Sequence, residues 1–177
     1  GLPFREILVK NRYVNRTFIL DNQNSREEAI KRKLFPIANE FNGRRCLIVD
    51  DSIVRGNTAR QITKLVRDSG AKEVILLSAC PSIKHPCYYG IDFPDKEELL
   101  AGNLEAAQVA SELGADKVIF QSLEGLKEAL GRNELCTGCL TGIYPTDITN
   151  VGRFAAKRKV DRLAPPAPVS AKSNKVK

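Results

Sequence analysis

The sequence predicts an α/β fold, a parallel sheet flanked by helices, because three short apolar runs alternate with amphipathic segments that end in glycine. The runs are Cys46-Leu47-Ile48-Val49, Val74-Ile75-Leu76-Leu77 and Lys117-Val118-Ile119-Phe120. Continuous runs of this length read as strands buried on both faces. Between the first two, residues 58–69 carry Ile62, Leu65 and Val66 on one helical face, and Gly70 supplies the stop. Asp95 can cap a short helix through Leu100, residues 105–113 form another ended by Gly114, and Ser122 can cap a helix through Leu130. Such alternation implies right-handed crossovers, with ligands at the carboxyl ends of the strands. Upstream, Ile7-Leu8-Val9 and Thr17-Phe18-Ile19-Leu20 can pair around the polar residues 10–16. Beyond Thr146 the apolar periodicity stops, and the proline-rich residues 164–168 and Ser/Lys-rich end read as a disordered tail.

Composition is that of an ordinary globular chain, 42% hydrophobic and 28% charged over 177 residues, enough for one domain. No run approaches the roughly 18 apolar residues of a membrane span, and residues 1–10 lack a signal-peptide core. The expected location is the cytoplasm, with no membrane partner. From Val151 onward eight basic residues and one acid account by themselves for the net charge of +7. The remainder is neutral, so no specific nucleic-acid partner is expected. Methionine is absent, as in a piece of something longer.

The loop after the first buried run carries the chemistry: Asp50, Asp51, Ser52, Ile53, Val54, Arg55, Gly56, Asn57 and Thr58. Two carboxylates at a buried strand end are costly unless they meet donors or a cation. The following Ser, Gly, Asn and Thr lead into a helix N-terminus, which offers N–H groups, hydroxyls and the positive dipole end to a phosphate. A sugar phosphate has that shape. An equally weighted reading is a plain turn in which the acids and Thr58 cap the helix. A Walker-type loop is excluded because no Gly-Lys-Ser/Thr is present at this glycine.

The string Val-Asp-Asp-Ser-Ile-Val-Arg-Gly-Asn-Thr at 49–58 resembles the signature loop of type I phosphoribosyltransferases, in the form carried by amidophosphoribosyltransferases. Residues 10–19, Lys-Asn-Arg-Tyr-Val-Asn-Arg-Thr-Phe-Ile, resemble that family's lid, with Asn15 where the family usually has Gly. With Tyr89-Gly90-Ile91-Asp92 and Thr141-Gly142-Ile143-Tyr144-Pro145, the resemblance runs over residues 1–147. It implies a phosphoribosyltransferase domain over 1–147, incomplete at its N-terminus, and a basic tail over 148–177. It also implies that Asp50 and Asp51 hold the ribose of phosphoribosyl pyrophosphate and Mg²⁺, and that 52–58 hold the 5′-phosphate. Lys10, Arg12 and Arg16 would then stabilise the departing pyrophosphate; taken alone, three cations in one short segment are more often a solvated surface.

Of five cysteines, Cys136 and Cys139 form a C-x-x-C pair, and Cys87 lies in His-Pro-Cys-Tyr. The spacing alone fits zinc, an iron–sulfur cluster or a redox pair. The resemblance implies that Cys87, Cys136 and Cys139 are three ligands of a [4Fe–4S] cluster whose fourth ligand lies N-terminal to Gly1. Cys46, Cys80 and His85 read as structural.

The activity implied is formation of 5-phosphoribosylamine, pyrophosphate and glutamate from phosphoribosyl pyrophosphate and glutamine, the first committed step of purine synthesis. Purine nucleotides as feedback inhibitors and a homo-oligomer are implied with it. Because the family's glutaminase domain has no counterpart here, the chain alone is expected to be inactive with glutamine. The alternatives are a non-catalytic sensor of phosphoribosyl pyrophosphate with the same fold, and a nucleic-acid-binding module working through the tail.

Overall fold

In the computed structural model, residues 3–6, 8–10, 34–91 and 96–149 are described. The chain divides into two compact units, Gly1–Ile143 and Tyr144–Lys177. In the first, strand β1 (Leu8–Lys10) pairs antiparallel with β2 (Leu34–Pro36). A separate three-stranded parallel sheet follows, in the order β3 (Arg45–Asp50), β4 (Glu73–Ser78), β5 (Lys117–Phe120). Helix α1 (Asn57–Asp68) connects β3 to β4, and α2 (Ala106–Leu113) precedes β5. Helices α3 (Leu123–Leu130) and α4 (Gly138–Thr141) complete the unit.

The expected parallel sheet and crossover helices are present. Leu8–Lys10 pairs with Leu34–Pro36, a segment not expected to be a strand. The expected strand 17–20 lies outside the described residues, as do Arg12, Arg16 and the tail from residue 150. The short helix expected at 95–100 is a single 3-10 turn, Lys96–Glu98. Among the described residues no helix is long and apolar enough to cross a membrane.

Period-two alternation places Cys46, Ile48, Val74, Leu76 and Val118 on one sheet face, where both helices pack. Ile62 and Val66 of α1 close over Cys46 and Val74, while Val109, Ala110 and Leu113 of α2 close over Leu76 and Val118. Continuous apolar runs had suggested burial of both faces. On the opposite face, however, Leu47 is 41% and Val49 65% exposed.

The start of β5 is locked to β4 by Asp116, whose carboxylate accepts from the Val74 N–H at 2.7 Å and from Arg67 of α1 at 2.6 Å. The Val74 N–H donated to it, together with the Arg67 charge, holds the Asp116 carboxyl below the usual carboxylate range. A depressed folded-state value means that this stabilisation is present above the unfolded value near 3.9 and is lost as pH falls through the lower folded value. Asp116→Ala leaves the N–H of a fully buried residue without its acceptor, an expected cost of about 1–3 kcal/mol by denaturant unfolding at neutral pH. That deficit should shrink on acidification below about pH 4, as the wild-type carboxylate protonates.

Candidate functional site

β3 ends at Asp50, and the next residues turn over the carboxyl edge of the sheet into α1. The Ala79 N–H donates to the Asp50 carbonyl at 2.9 Å, tying the loop's start to the end of β4. The Asp51 N–H donates to the Asp50 carboxylate at 3.0 Å, and the Ser52 hydroxyl to that of Asp51 at 3.2 Å. Burial holds the Asp50 carboxyl above its usual range; the Asp51 N–H opposes this, and the Asp51 charge adds to it. Two neighbouring acids, one half-buried and one exposed, therefore lack a cation among the groups that set the Asp50 value. An arriving diol or divalent ion would relieve that repulsion.

Ile53 turns inward at 4% exposure and anchors the loop in the core beside Ala59. The Val54 carbonyl accepts from the Leu100 N–H at 2.9 Å, and Arg55 Nε donates to Glu98 at 2.8 Å. The 3-10 turn and the two residues after it thus buttress the loop from outside. Gly56 then caps α1 in the left-handed region, at φ +75. A Cβ there would lie 2.5 Å from Leu100 Cδ2 and 2.9 Å from Leu113 Cδ2, so glycine is required both by conformation and by space.

The residue capping α1 is neither acid nor threonine, and no side chain caps its N-terminus. This removes the plain capping reading of Asp50, Asp51 and Thr58. Asn57 and Thr58 sit exposed in the first turn, Asn57 Oδ1 accepting from Arg60 at 3.5 Å. A helix of this length with an uncapped start, next to hydroxyls, is a ready anion site. Of the expected lid cations, Lys10 closes β1, and the other two lie outside the described residues.

Cys80, Cys87, Cys136 and Cys139 lie around a second feature. The Lys84 and His85 N–H groups both donate to the Cys139 carbonyl, at 3.0 and 2.9 Å, which clamps α4 onto the segment leading to Cys87. His85 packs its ring against Gly142, where a Cβ would come within 3.0 Å of it. Cys87 is buried, Cys139 half-buried and Cys136 exposed. Burial pushes the Cys139 thiol up, and the nearby Cys87, Cys80 and Cys136 add to the rise. Cys80 is likewise raised by burial and then by the charge of Asp51. Cys80 therefore lies near both Asp51 and Cys139, a placement that its position before Pro81 did not reveal. Cys46 lies in the core under α1, as expected of a structural residue.

Among the described residues, no three His, Cys, Asp or Glu side chains are gathered closely enough to hold a metal ion by themselves. The acidic pair still suits Mg²⁺, which commonly takes one or two carboxylates and completes its shell with water and substrate phosphates. The three expected thiolates suit part of an iron–sulfur site but not a closed one, since a cubane takes four.

The parallel sheet, the paired acids that end β3 and the Gly56-capped start of α1 give the α/β architecture that the resemblance to phosphoribosyltransferases implies. No protein-family model matches the chain. It is 51% identical over 148 residues to the amidophosphoribosyltransferase of Methanocaldococcus jannaschii, covering 84% of this chain and 31% of the relative. It is 44% identical to those of Methanothermobacter thermautotrophicus, over 92% of this chain and 35% of the relative, and Bacillus subtilis, over 84% and 32%. The solved Bacillus subtilis glutamine phosphoribosylpyrophosphate amidotransferase, complexed with ADP and GMP, superposes with a TM-score of 0.74 at 43% identity. That superposition covers 85% of this chain and 34% of the solved one. The chain belongs to the amidophosphoribosyltransferase family and spans about a third of the length of these relatives.

Proposed function

We propose that residues 50–58 hold the ribose and 5′-phosphate of phosphoribosyl pyrophosphate and serve amidophosphoribosyl transfer, this chain by itself being inactive with glutamine. The observation that carries this reading is the Gly56-capped, otherwise uncapped start of α1 directly after Asp50 and Asp51. The acids accept from the ribose hydroxyls, and Ser52, Asn57, Thr58 and the N–H groups between them take the phosphate. Mg²⁺ bound with the substrate would offset the charge of the pyrophosphate. In this reading Lys10, Arg12 and Arg16 supply positive charge that stabilises the same leaving group. Displacement at the anomeric carbon then needs positioning and charge stabilisation rather than a protein nucleophile.

With glutamine as the ammonia source the products are 5-phosphoribosylamine, pyrophosphate and glutamate, the opening step of purine synthesis. Purine nucleotides as inhibitors, a homo-oligomer, a cytoplasmic location, and division into a catalytic portion over 1–147 and a basic tail over 148–177 belong to the same reading. The relatives are named as transferases, which favours an enzyme over a sensor. Calorimetry of the 177-residue chain with phosphoribosyl pyrophosphate and Mg²⁺ tests the loop; absence of heat that saturates would count against it.

Cys87, Cys136 and Cys139 are proposed as three corners of an iron–sulfur site. Reconstitution with ferrous iron and sulfide under argon should load less iron when any of these is changed to Ser, and the same amount in Cys46→Ser. Equal loading in all four variants would contradict the assignment.

A further inference from the structure

The phosphate reading leaves one side chain of the loop without a task, the guanidinium of Arg55. An arginine in such a loop is ordinarily expected on the phosphate itself. Here its Nε donates to Glu98 at 2.8 Å, a partner 43 positions away in sequence. Glu98 ends the 3-10 turn Lys96–Glu98 and lies outside the loop altogether.

The backbone beneath each partner is anchored. Ile53, two residues before Arg55, is 4% exposed, and Leu99, the residue after Glu98, is 5% exposed. Buried Ala101 holds the far side of the turn, and the Leu99 and Gly102 N–H groups donate to the Lys96 and Leu99 carbonyls at 3.2 and 3.0 Å. Glu98 therefore stands on a folded platform. Three consecutive loop residues meet that platform. The Val54 carbonyl accepts from the Leu100 N–H at 2.9 Å, Arg55 pairs with Glu98, and Gly56 lies against the Leu100 side chain. These three residues directly precede Asn57, so their placement sets where the open N–H groups of α1 point.

We propose that Glu98 is a positioning residue for the phosphate loop: it engages Arg55 as a tether that fixes residues 54–56, and the guanidinium is not a phosphate ligand. This rests on the reading of residues 50–58 as the phosphate loop. Both side chains of the pair are well exposed, at 39% and 48%, and such a pair contributes little to global stability. Its effect falls on the loop. Several N–H groups must converge on one anion, and backbone already fixed before the phosphate arrives needs no ordering at that moment.

The test uses the 177-residue chain, the variants Glu98→Gln and Arg55→Gln, and the two combined, with ribose 5-phosphate as the ligand in calorimetry. Each single substitution breaks the same tether. All three variants should therefore bind about 10-fold more weakly, roughly the effect of leaving one backbone residue to be ordered on binding. The melting midpoint should move by less than about 4 °C. In the unliganded chain, amide exchange should quicken several-fold at Leu100, whose N–H donates to Val54, and stay unchanged at Val74 in the sheet. Glu98→Gln binding as well as the wild type or tighter, with Arg55→Gln weakened, would place the guanidinium on the phosphate and overturn the proposal. Losses that add in the double variant would overturn it too, as would exchange that quickens at Val74 as much as at Leu100. A wild-type chain that binds no ribose 5-phosphate would overturn the phosphate reading and the positioning role together; a wild type that binds, with Glu98→Gln equal to it, overturns the positioning role alone.

Discussion

Replacing both acids, Asp50→Asn with Asp51→Asn, is expected to weaken binding of phosphoribosyl pyrophosphate with Mg²⁺ by about 100-fold or more. Hydrogen bonds to a charged partner contribute about 1.5–3 kcal/mol each, and two are lost together with the site's attraction for the cation. The same substitutions should not unfold the chain. Asp50 is held above its usual range by burial and by the charge of Asp51, so its ionised form is unfavourable in the empty site. Asn at position 50 keeps an oxygen to accept from the Asp51 N–H while removing that charge. Opposite signs are therefore expected: binding collapses, and the unliganded fold is unchanged or slightly more stable. Calorimetry and urea unfolding on the same samples separate the two. A variant that binds as well as the wild type would remove the acids from the site, and one that loses both binding and stability would make them structural.

Gly56→Val should have the largest effect on stability. The left-handed φ of +75 is strained for any side chain, costing about 1–2 kcal/mol, and more for a β-branched one. The first side-chain carbon would also stand 2.5 Å from Leu100 Cδ2 and 2.9 Å from Leu113 Cδ2. Overpacking of this kind costs roughly another 1–3 kcal/mol. We expect a total of about 2–5 kcal/mol in denaturant unfolding, a large share of the stability of a small domain. Leu100 also bonds to the Val54 carbonyl, so relief by moving Leu100 would disturb the loop itself. Loss of stability below about 1 kcal/mol would show that the loop is not held against α2 as described.

Much of this fold could be read from local signals. The runs at 46–49, 74–77 and 117–120 became β3, β4 and β5, and glycines 70 and 114 closed the helices that the periodicity placed. Ser122 caps α3 through its hydroxyl at 2.9 Å from the Gly125 N–H, as its position suggested. What stayed hidden depends on distant partners. Leu34–Pro36 is too short to signal a strand until β1 lies beside it. The Arg55–Glu98 pair joins residues 43 apart, and no spacing rule links them. Cys80 gained its place near Asp51 and Cys139 only from the folding of β4 against β3 and the clamp on α4. The exposure of Leu47 and Val49 was likewise illegible, because a continuous apolar run looks the same whether one face or two are covered.

The acidic loop was legible as a phosphate-and-diol site from residue types alone, yet two readings fitted it equally. The geometry of one residue removes the capping reading. With Gly56 as the cap, the acids have no capping role, and the helix start is left open for a ligand.

The most direct test of the central claim is an amide chemical-shift map of the 177-residue chain titrated with ribose 5-phosphate. Shifts concentrated at residues 50–58, largest for Gly56, Asn57 and Thr58, and absent in Asp50→Asn/Asp51→Asn only for the sugar end, are the predicted result. Saturable shifts confined to other parts of the chain, or none at any concentration, would contradict it.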